Sequence, residues 1–396
     1  MEPFKNLLNP ALVKQAALRL QGPQFDGKRF AKLASQGLEG LEMKARALHI
    51  CTALEATMPA DFNIAADLFE AALAPPEAGQ RMGQLSGIET GPNAGLKGWI
   101  LWPVGEYVAR HGQLQPQRAL AMLHALTQRF TAEFAIRPFI VNHPQLVFAT
   151  LAGWCHDPSA HVRRLVSEGS RPRLPWGLQL RSLIEDPAPT LPLLRALQDD
   201  ASDYVRRSVA NHLNDIAKDH PALLATWLAE HLPNQGRDAS PARRALLKHA
   251  SRTLVKRGDL NVLQAWGLAG ALRGQALLAM EPLQVTLGGA VVLTLQLRSS
   301  SPRKQRLAID YAVHHVKASG STSPKVFKGW LLDLPPFGEL TLTRRHSLKP
   351  ITTRRYHAGR HVVSLQANGR TVAQTAFELL LAPEVAGQPP CVQGRR

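Results

Sequence analysis

Cysteine is scarce in this 396-residue chain, and Cys51, Cys155 and Cys391 lie too far apart to match a zinc, iron–sulfur or redox motif. No apolar run approaches the roughly 20 residues of a membrane-spanning helix. The N-terminal residues lack the apolar core of a signal peptide. The 29 glycines and 29 prolines follow no fixed period, which excludes a collagen-like chain. We therefore expect a protein of the reduced cytoplasm.

Recognisable catalytic signatures are also missing. The sequence contains no Walker loop, dinucleotide fingerprint, nucleophile elbow or zinc motif. The histidines at 156, 161 and 212 have no partner at metal-ligand spacing and are expected at the surface or in a groove. We therefore expect no cofactor and no metal.

Acidic residues are few relative to basic ones: 30 Asp and Glu stand against 47 Lys and Arg, for a net charge of +17. The excess rises along the chain, from zero over residues 1–100 to +7 over 101–280 and +10 over 281–396. A basic surface attracts polyanions by steering and counterion release. The distribution favours a nucleic-acid partner, although charge that only maintains solubility is an open alternative.

An internal repeat organises the first 280 residues, which otherwise predict helices such as 117–135. HDPSAHVRRLVSEGS (156–170) aligns with DDASDYVRRSVANHL (199–213), and a weaker third copy spans 237–252. A period of about 40–47 residues is typical of HEAT-like repeats, which stack into a solenoid. The Asp that opens each copy is a predicted helix N-cap. Capping does not explain the Val-Arg-Arg that the first two copies share.

The pattern changes to short alternating strands after residue 281. The predicted strands are 282–287, 291–298, 305–313, 325–334, 339–348, 361–368 and 370–379. Asn368-Gly369 is a strong hairpin turn, and seven strands in about a hundred residues fit an immunoglobulin-like sandwich. We predict a mainly α protein: a HEAT-like repeat solenoid over 1–280, and an all-β Ig-like sandwich with a basic surface over 281–396.

Helical spacing places polar side chains of the repeats on one predicted groove face. Arg164, Arg207, Asn211 and Lys218 share this face, and a basic stripe of Arg244, Lys248 and Arg252 repeats every four residues in the third copy. The residues predicted to bind DNA are Arg163, Arg164, Arg206, Arg207, Asn211, His212, Lys218, Arg244, Lys248 and Arg252. Glu168 and Asp215 share this face. Carboxylates would repel a DNA backbone, so they are unexpected in a passive phosphate binder. They suit an enzyme that stabilises positive charge on a nucleic-acid substrate.

Ordinary helix-surface ion pairs are the competing explanation for these carboxylates. The pairs at helical spacing are Arg164–Glu168, Arg129–Glu133 and Asp215–Lys218. Such an exposed pair contributes only about 0.3–0.5 kcal/mol. Trp176, which follows a proline, would then be a packing residue between helices.

Two segments resemble a known family: HVRRLVSEGSRPRLPW (161–176) and DYVRRSVANHLNDIAKDHP (203–221). They resemble the HEAT-like repeat alkylpurine DNA glycosylases, AlkC branch, and the resemblance covers most of the chain. It implies a helical solenoid, in some members with a C-terminal Ig-like domain. It also implies DNA base excision repair of cationic N3-methylated bases, 3-methyladenine and 3-methylcytosine. The catalytic positions that match are Glu168, Trp176 and Asp215, with Glu133 in a less distinctive motif.

The resulting expectation is a monofunctional alkyl-base DNA glycosylase that acts as a monomer on alkylated double-stranded DNA, without membrane contact. The alternative is a non-catalytic HEAT-repeat scaffold that binds nucleic acid. Both predict a basic concave face, and only the enzyme predicts paired acids at its centre. A protein–protein scaffold would leave the charge gradient unexplained. Because residues 281–396 carry +10, we also expect the sandwich to contact DNA.

Overall fold

The structure, a computed structural model, describes residues 3–22, 24–76, 95–232, 240–268, 270–351 and 354–381. Compactness divides the chain into two units, residues 1–220 with 238–251, and residues 221–237 with 252–396. None of the helices in these described ranges is long and apolar enough to cross a membrane. Cys51 and Cys155 are buried free thiols, whereas Cys391 lies outside the described residues.

Helices build the first unit. They are α1 (Pro10–Arg19), α2 (Gly27–Ser35), α3 (Met43–Glu55), α4 (Phe62–Ala72), α5 (Leu101–His111), α6 (Pro116–Thr127), α7 (Arg137–Asn142), α8 (Pro144–Trp154), α9 (Ala160–Gly169), α10 (Arg181–Glu185), α11 (Leu191–Leu197), α12 (Asp203–Ile216) and α14 (Pro241–Ala250). The second unit contains α13 (Pro221–His231), α15 (Arg252–Arg257) and α16 (Leu260–Ala265).

The three repeat copies form α9, α12 and α14, and α12 packs against both of the others. This side-by-side arrangement confirms the helical-repeat fold. The apolar stripe of α12 is fully buried at Val205, Val209 and Leu213, as its spacing predicts.

The predicted Asp N-caps are wrong by two residues, because the N-caps are Ser159 and Ser202. The carboxylates of Asp157 and Asp200 instead accept hydrogen bonds from the backbone N–H of those serines, at 2.7 and 2.8 Å. The corresponding Asp of the third copy, at position 238, lies outside the described residues.

The helix predicted over 117–135 is shorter in the structure, where α6 ends at Thr127. Glu133 therefore lies in the connection to α7 and cannot form the predicted helical pair with Arg129. The Arg129 guanidinium instead donates to the carbonyl oxygens of Ala74 and Ala125, both at 2.7 Å.

The β-sandwich of the second unit has two sheets. Its strands are β1 (Gly274–Glu281), β2 (Gln284–Thr286), β3 (Ala290–Ser299), β4 (Gln305–Val316), β5 (Thr322–Leu334), β6 (Glu339–Ser347), β7 (Gly359–Ala367) and β8 (Arg370–Leu380). One sheet has the order β1-β3-β6 and the other β2-β8-β7-β4-β5. Pairing is antiparallel except between β2 and β8. Leu295 from the first sheet and Ile309, Leu365 and Phe377 from the second belong to the core between them.

All seven predicted strands form, and β1 was missed. Its sequence, GQALLAME, is rich in helix-favouring residues, and pairing with β3 makes it a strand. The predicted boundary between 280 and 281 falls at the end of β1, and the compact units group α13, α15 and α16 with the strands. The division at 280 stays a prediction.

The Asn368-Gly369 turn between β7 and β8 also holds the second unit together. Both residues have positive φ, 48° and 75°, as this hairpin turn requires. The Asn368 amide accepts from the Ala308 N–H at 2.8 Å and donates to the Gly270 carbonyl at 2.7 Å. A Cβ added to Gly258, just after α15, would lie 2.7 Å from the Gly369 Cα. Only glycine fits this close approach.

Candidate active site

Six side chains of alternating charge lie in contact one after another in the first unit. We call this set the ionic row; in order, its members are Glu133, Arg164, Glu168, Arg171, Asp215 and Lys218. Arg164 Nη1 lies 2.5 Å from Glu133 Oε2, and Arg164 Nη2 lies 3.6 Å from Glu168 Oε1. Three carboxylates and three cations give the row no net formal charge.

Arg171 connects the two carboxylates that come from neighbouring repeats. Its Nη1 lies 2.5 Å from Glu168 Oε1, and its Nε and Nη2 each lie 2.8 Å from Asp215 Oδ2. Lys218 Nζ ends the row, 2.8 Å from Asp215 Oδ1. Glu168 on α9 and Asp215 on α12 meet because these two helices pack against each other.

Glu168 is buried, and its environment favours the ionised form. Its second oxygen, Oε2, accepts a hydrogen bond from Ser208 Oγ at 2.6 Å. Burial alone would raise the pKa of Glu168, but the guanidinium groups of Arg164 and Arg171 outweigh burial and hold that pKa below its usual range. Glu168 can therefore act as a fixed negative charge, whereas it is poorly suited to donate a proton.

Arg164 is held within the protein. Its guanidinium donates to Thr131 Oγ1 at 2.8 Å and lies over the Tyr204 ring, 5.1 Å from the ring centroid. Burial would lower the pKa of Arg164, but Glu133 and Glu168 outweigh it and raise that pKa. Arg164 thus has the environment of an internal counterion, unlike the phosphate contact predicted from the sequence.

A cavity of about 450 Å³ opens beside the row. Four members of the row line it, namely Glu133, Arg164, Glu168 and Arg171. The rest of its lining is mainly aromatic and apolar: Trp99, Trp102, Phe130, Thr131, Phe134, Leu174, Pro175 and Trp176. An aromatic wall facing fixed carboxylates is suited to a flat or cationic group.

Trp176 is the exposed member of this wall, with 63% of its surface accessible. Its ring is parallel to that of Trp102 within 6°, at a centroid distance of 6.4 Å. Its backbone has a φ of 66°, a left-handed conformation that is costly for a non-glycine residue. Its carbonyl accepts from Lys44 Nζ at 3.2 Å. An exposed ring on a strained backbone argues for a functional residue over a packing residue.

The segment that carries Trp176 is hydrogen-bonded to Arg137, whose side chain is fully buried. Arg137 Nη1 donates to the Gly169 carbonyl at 2.8 Å, and its Nε donates to the Leu178 carbonyl at 2.5 Å. These bonds span the whole segment from the end of α9 past Trp176. Arg171 and Trp176 are therefore fixed by the same buried side chain.

Two of the predicted DNA-binding arginines stabilise the repeat instead. Arg163 forms a forked ion pair with Asp200, with Nε–Oδ2 and Nη2–Oδ1 distances of 2.6 and 3.0 Å. Arg206 donates to the Asp200 and Ala201 carbonyls at 2.5 and 2.8 Å. Both side chains close the turns that lead into the repeat helices.

The expectation of a surface or groove His212 is wrong. His212 is fully buried, and its Nδ1 donates to the Ser167 carbonyl at 2.9 Å. Burial lowers its pKa to about 3, so the ring is neutral. His161 is buried as well. The neighbouring Asn211 is half-buried and bonded to His249 at 2.8 Å.

The remaining predicted cations fall into two groups. Arg207 on α12, Arg244 and Lys248 on α14, and Lys218 after α12 are exposed in the first unit. Arg252 opens α15, which belongs to the second unit, because α14 ends at Ala250. The predicted basic stripe through 244, 248 and 252 is therefore interrupted.

Three residues at the site, Arg171, Trp102 and Tyr204, were not predicted from the sequence. Arg171 lies three residues after Glu168, a spacing that indicates a contact on a helix, but it follows the end of α9. Trp102 and Tyr204 carry no local signal, because their roles depend on which elements pack beside them. Across the described ranges, no three His, Cys, Asp or Glu residues are grouped as a metal site would require.

Both units of the chain are similar in sequence to known proteins. A family model described as the C-terminal Ig-like domain of the uncharacterised protein YhaZ matches residues 275–381. Over 384 residues the chain is 34% identical to the uncharacterised protein YhaZ of Bacillus subtilis (strain 168), covering 96% of this chain and 100% of that protein.

The structure of the alkylpurine DNA glycosylase AlkC of Pseudomonas fluorescens, bound to DNA containing an abasic site analog, is also similar. The TM-score is 0.83 and the identity 31%, covering 96% of this chain and 100% of that one. The chain belongs to the AlkC family. This AlkC-family protein has both the helical repeats and the Ig-like domain that its sequence predicts.

Proposed function

We propose that this AlkC-family protein is a monofunctional DNA glycosylase that hydrolyses the N-glycosidic bond of cationic N3-methylated bases, 3-methyladenine and 3-methylcytosine, in double-stranded DNA. The observation that carries the proposal is the pair of buried carboxylates, Glu133 and Glu168, that line one cavity with the exposed ring of Trp176, while Arg171 joins Glu168 to Asp215. The similarity to AlkC supports it, because an abasic site, as in the DNA of that complex, is what base excision leaves. The protein acts as a cytosolic monomer without a cofactor.

A methylated base of this class carries a positive charge while it is attached to the sugar. It leaves with the electron pair of the glycosidic bond and becomes neutral, so the enzyme does not need to protonate it. This requirement matches Glu168, whose lowered pKa makes it a poor acid. The remaining problem is the positive charge that develops on the sugar, as in glycoside hydrolysis.

The carboxylates of the row address that charge. A fixed negative group close to the sugar stabilises the oxocarbenium-like transition state electrostatically. Water adds to C1′ as the bond breaks, and one of the three carboxylates accepts its proton. The Trp176 ring contributes a cation–π contact with the same developing charge. Glu133, Glu168, Asp215 and Trp176 are the catalytic residues in this proposal.

Exposed cations supply the contacts with the DNA backbone. In the first unit these are Arg207, Arg244 and Lys248, with Lys218 at the end of the row. On the sandwich, Lys325 and Lys328 of β5 and Arg344 and Arg345 of β6 are exposed. Arg163, Arg164, Arg206 and His212 keep structural roles in this scheme, since their polar groups are already bonded inside the protein.

Base release from a methylated duplex tests the proposal. Purified protein should release 3-methyladenine in single turnovers, with or without a metal chelator. Glu168→Gln and Asp215→Asn should each reduce the rate by about 10²–10³-fold, as for loss of a transition-state charge contact. Asp219→Asn is the matched control, because Asp219 lies four residues after Asp215 but is exposed and pairs with Arg173.

Two outcomes would count against the proposal. Tight binding of methylated duplex without any base release would favour the non-catalytic scaffold. Rates within about threefold of the parent protein for both acid variants would remove Glu168 and Asp215 from the chemistry. Affinity for DNA, measured by fluorescence anisotropy, separates weak binding from slow excision in each case.

A further inference from the structure

Arg171 has an environment that no phosphate-binding arginine would need. Its side chain is buried, with the residue 8% exposed, and its guanidinium contacts the carboxylates of two different repeat helices. The contact with Asp215 uses two nitrogens on one oxygen, while the third nitrogen binds Glu168. All three nitrogens of the guanidinium are therefore engaged by the two carboxylates.

We infer that Arg171 is the positioning residue of the active site, and that its guanidinium sets the spacing and orientation of Glu168 and Asp215. The inference rests on the proposed glycosylase function and adds to it a role for Arg171, which that proposal leaves without one. Arg171 acts through the two carboxylates on either side of it.

Electrostatics require a group at this position. Two carboxylates that share a site repel each other, and one of them then tends to take up a proton. A proton on either acid would remove the negative charge that the transition state needs. A guanidinium between them removes this conflict, and its planar fork also fixes the direction of each oxygen, which the flexible ammonium of lysine does not.

In each carboxylate, the oxygen that Arg171 does not contact has a partner of its own. Ser208 Oγ binds Glu168 Oε2 at 2.6 Å, and Lys218 Nζ binds Asp215 Oδ1 at 2.8 Å. Arg171 is the central contact that relates these two otherwise separate pairs. Its own position follows from Arg137, which anchors the segment from Gly169 to Leu178.

The chain offers a matched control two residues away. Arg173 forms the same kind of fork with Asp219, with Nε–Oδ2 and Nη2–Oδ1 distances of 2.8 and 2.9 Å. It ties the same segment to the residues just after α12, and its hydrogen bonds go to Asp219 and to neither Glu168 nor Asp215 within the described part of the chain. Arg173→Gln therefore removes a link of the segment while leaving the carboxylates in place.

The experiment compares Arg171→Lys, Arg171→Gln and Arg173→Gln in the full-length protein. At saturating methylated duplex, Arg171→Gln should lower the single-turnover excision rate by about 10²-fold, as for misplaced catalytic groups, with little change in DNA affinity. The acid limb of its pH–rate profile should move up by about 1 unit or more. Arg171→Lys should restore the acid limb better than the rate, because it keeps the charge and loses the fork.

A second readout needs neither DNA nor activity. In ¹³C-labelled protein, the Glu168 carboxyl resonance should titrate at higher pH in Arg171→Gln than in the parent and in Arg173→Gln. This measurement applies to any variant that retains the parent far-UV spectrum. If Arg171→Gln does not fold, Arg171→Met removes the same charge for the titration, and the excision rate of Arg171→Lys tests the fork. If the parent protein excises nothing, the glycosylase proposal fails while the Glu168 titration still tests the role of Arg171.

The inference is overturned if Arg171→Lys and Arg171→Gln, when folded, keep the parent rate and acid limb. It is equally overturned if Arg173→Gln loses as much activity as Arg171→Gln, because the segment alone would then explain the loss. An unshifted Glu168 titration in Arg171→Gln would remove the electrostatic part of the argument.

Discussion

Arg163 and Arg206 make the same backbone contacts one repeat apart. The Nη1 of Arg163 donates to the carbonyls of Asp157 and Pro158, and that of Arg206 to the carbonyls of Asp200 and Ala201. Each arginine thus closes the turn before its own helix. This contact explains the first arginine of the repeated Val-Arg-Arg. The second arginine has different surroundings in the two copies, because Arg164 lies in the ionic row and Arg207 is exposed.

The two equivalent arginines should differ in their contribution to stability. Arg163 also forks onto Asp200, whereas the side-chain partner of Arg206 is the exposed Asp203 at 3.4 Å. We expect Arg163→Ala to lower the free energy of unfolding by about 2 kcal/mol and Arg206→Ala by about 1 kcal/mol. Urea unfolding measures both, and equal losses would show that the Asp200 fork adds nothing.

Salt dependence should separate DNA contacts from structural arginines. Arg207→Ala and Lys248→Ala remove exposed cations, so each should reduce the slope of log K against log salt by roughly 0.9. Arg163→Ala should leave the slope unchanged, because that guanidinium is committed to Asp200. Binding to undamaged and methylated duplex should weaken alike. An unchanged slope would place Arg207 or Lys248 outside the interface.

The left-handed backbone of Trp176 predicts that two variants with the same loss of activity will differ in stability. Trp176→Ala and Trp176→Gly both remove the ring and should slow excision by about tenfold, the loss of one cation–π contact. Glycine tolerates a φ of 66° and alanine does not, so the glycine variant should be more stable by about 1 kcal/mol. Chemical denaturation of the pair isolates this backbone term, and equal stabilities would mean that the loop relaxes.

Three buried histidines should make the sandwich sensitive to acid. Burial, together with the nearby charge of Arg354, lowers the pKa of His315 to about 3 and that of His346 to about 4; burial also lowers the pKa of His361. In the unfolded chain these rings titrate near 6.5. Between about pH 4 and 6.5 the unfolded state therefore binds more protons, and stability falls as the pH falls.

From pH 7 to 5 we expect the sandwich to lose about 1–3 kcal/mol, measured by hydrogen exchange of amides in β4, β6 and β7. His346→Phe should flatten this pH dependence in part, because it removes one of the three titrating rings. The phenyl ring should keep the contacts that His346 makes with Tyr311 and Phe327. A stability that is the same at pH 7 and pH 5 would mean that the histidines are solvated in the folded protein.

Periodic features of the fold were predictable because they are local. The repeat offset placed α9 and α12, and alternation located seven strands within a few residues. β1 was not predictable, since its composition favours a helix and only pairing with β3 makes it a strand. The overextension of α6 has a similar cause: the apolar pattern continues past Thr127, but the backbone turns to join α7.

The acids and Trp176 of the candidate site were predicted from the sequence, whereas Arg171 between the acids was not. Helical spacing identified Glu168 and Asp215, but the contact of Arg171 with Asp215 spans 44 residues and depends on how two repeats dock. For the same reason His212 was misplaced, because its partner is the Ser167 carbonyl of the neighbouring helix. Residues of one type at one spacing can face solvent or a neighbouring helix, and the sequence alone does not distinguish the two.

Because the charges of the ionic row alternate in sign, its electrostatic effect on DNA differs between long range and direct contact. At distances larger than the separation between its six members, the electrostatic fields of the three acids and three cations cancel. A phosphate backbone that approaches the row therefore experiences little net charge there. Only a group that reaches a single member experiences an unscreened carboxylate. Removing one cation would turn the patch into a net negative charge visible to the whole duplex. Neutrality at a distance thus lets a polyanion dock beside acids that would otherwise repel it.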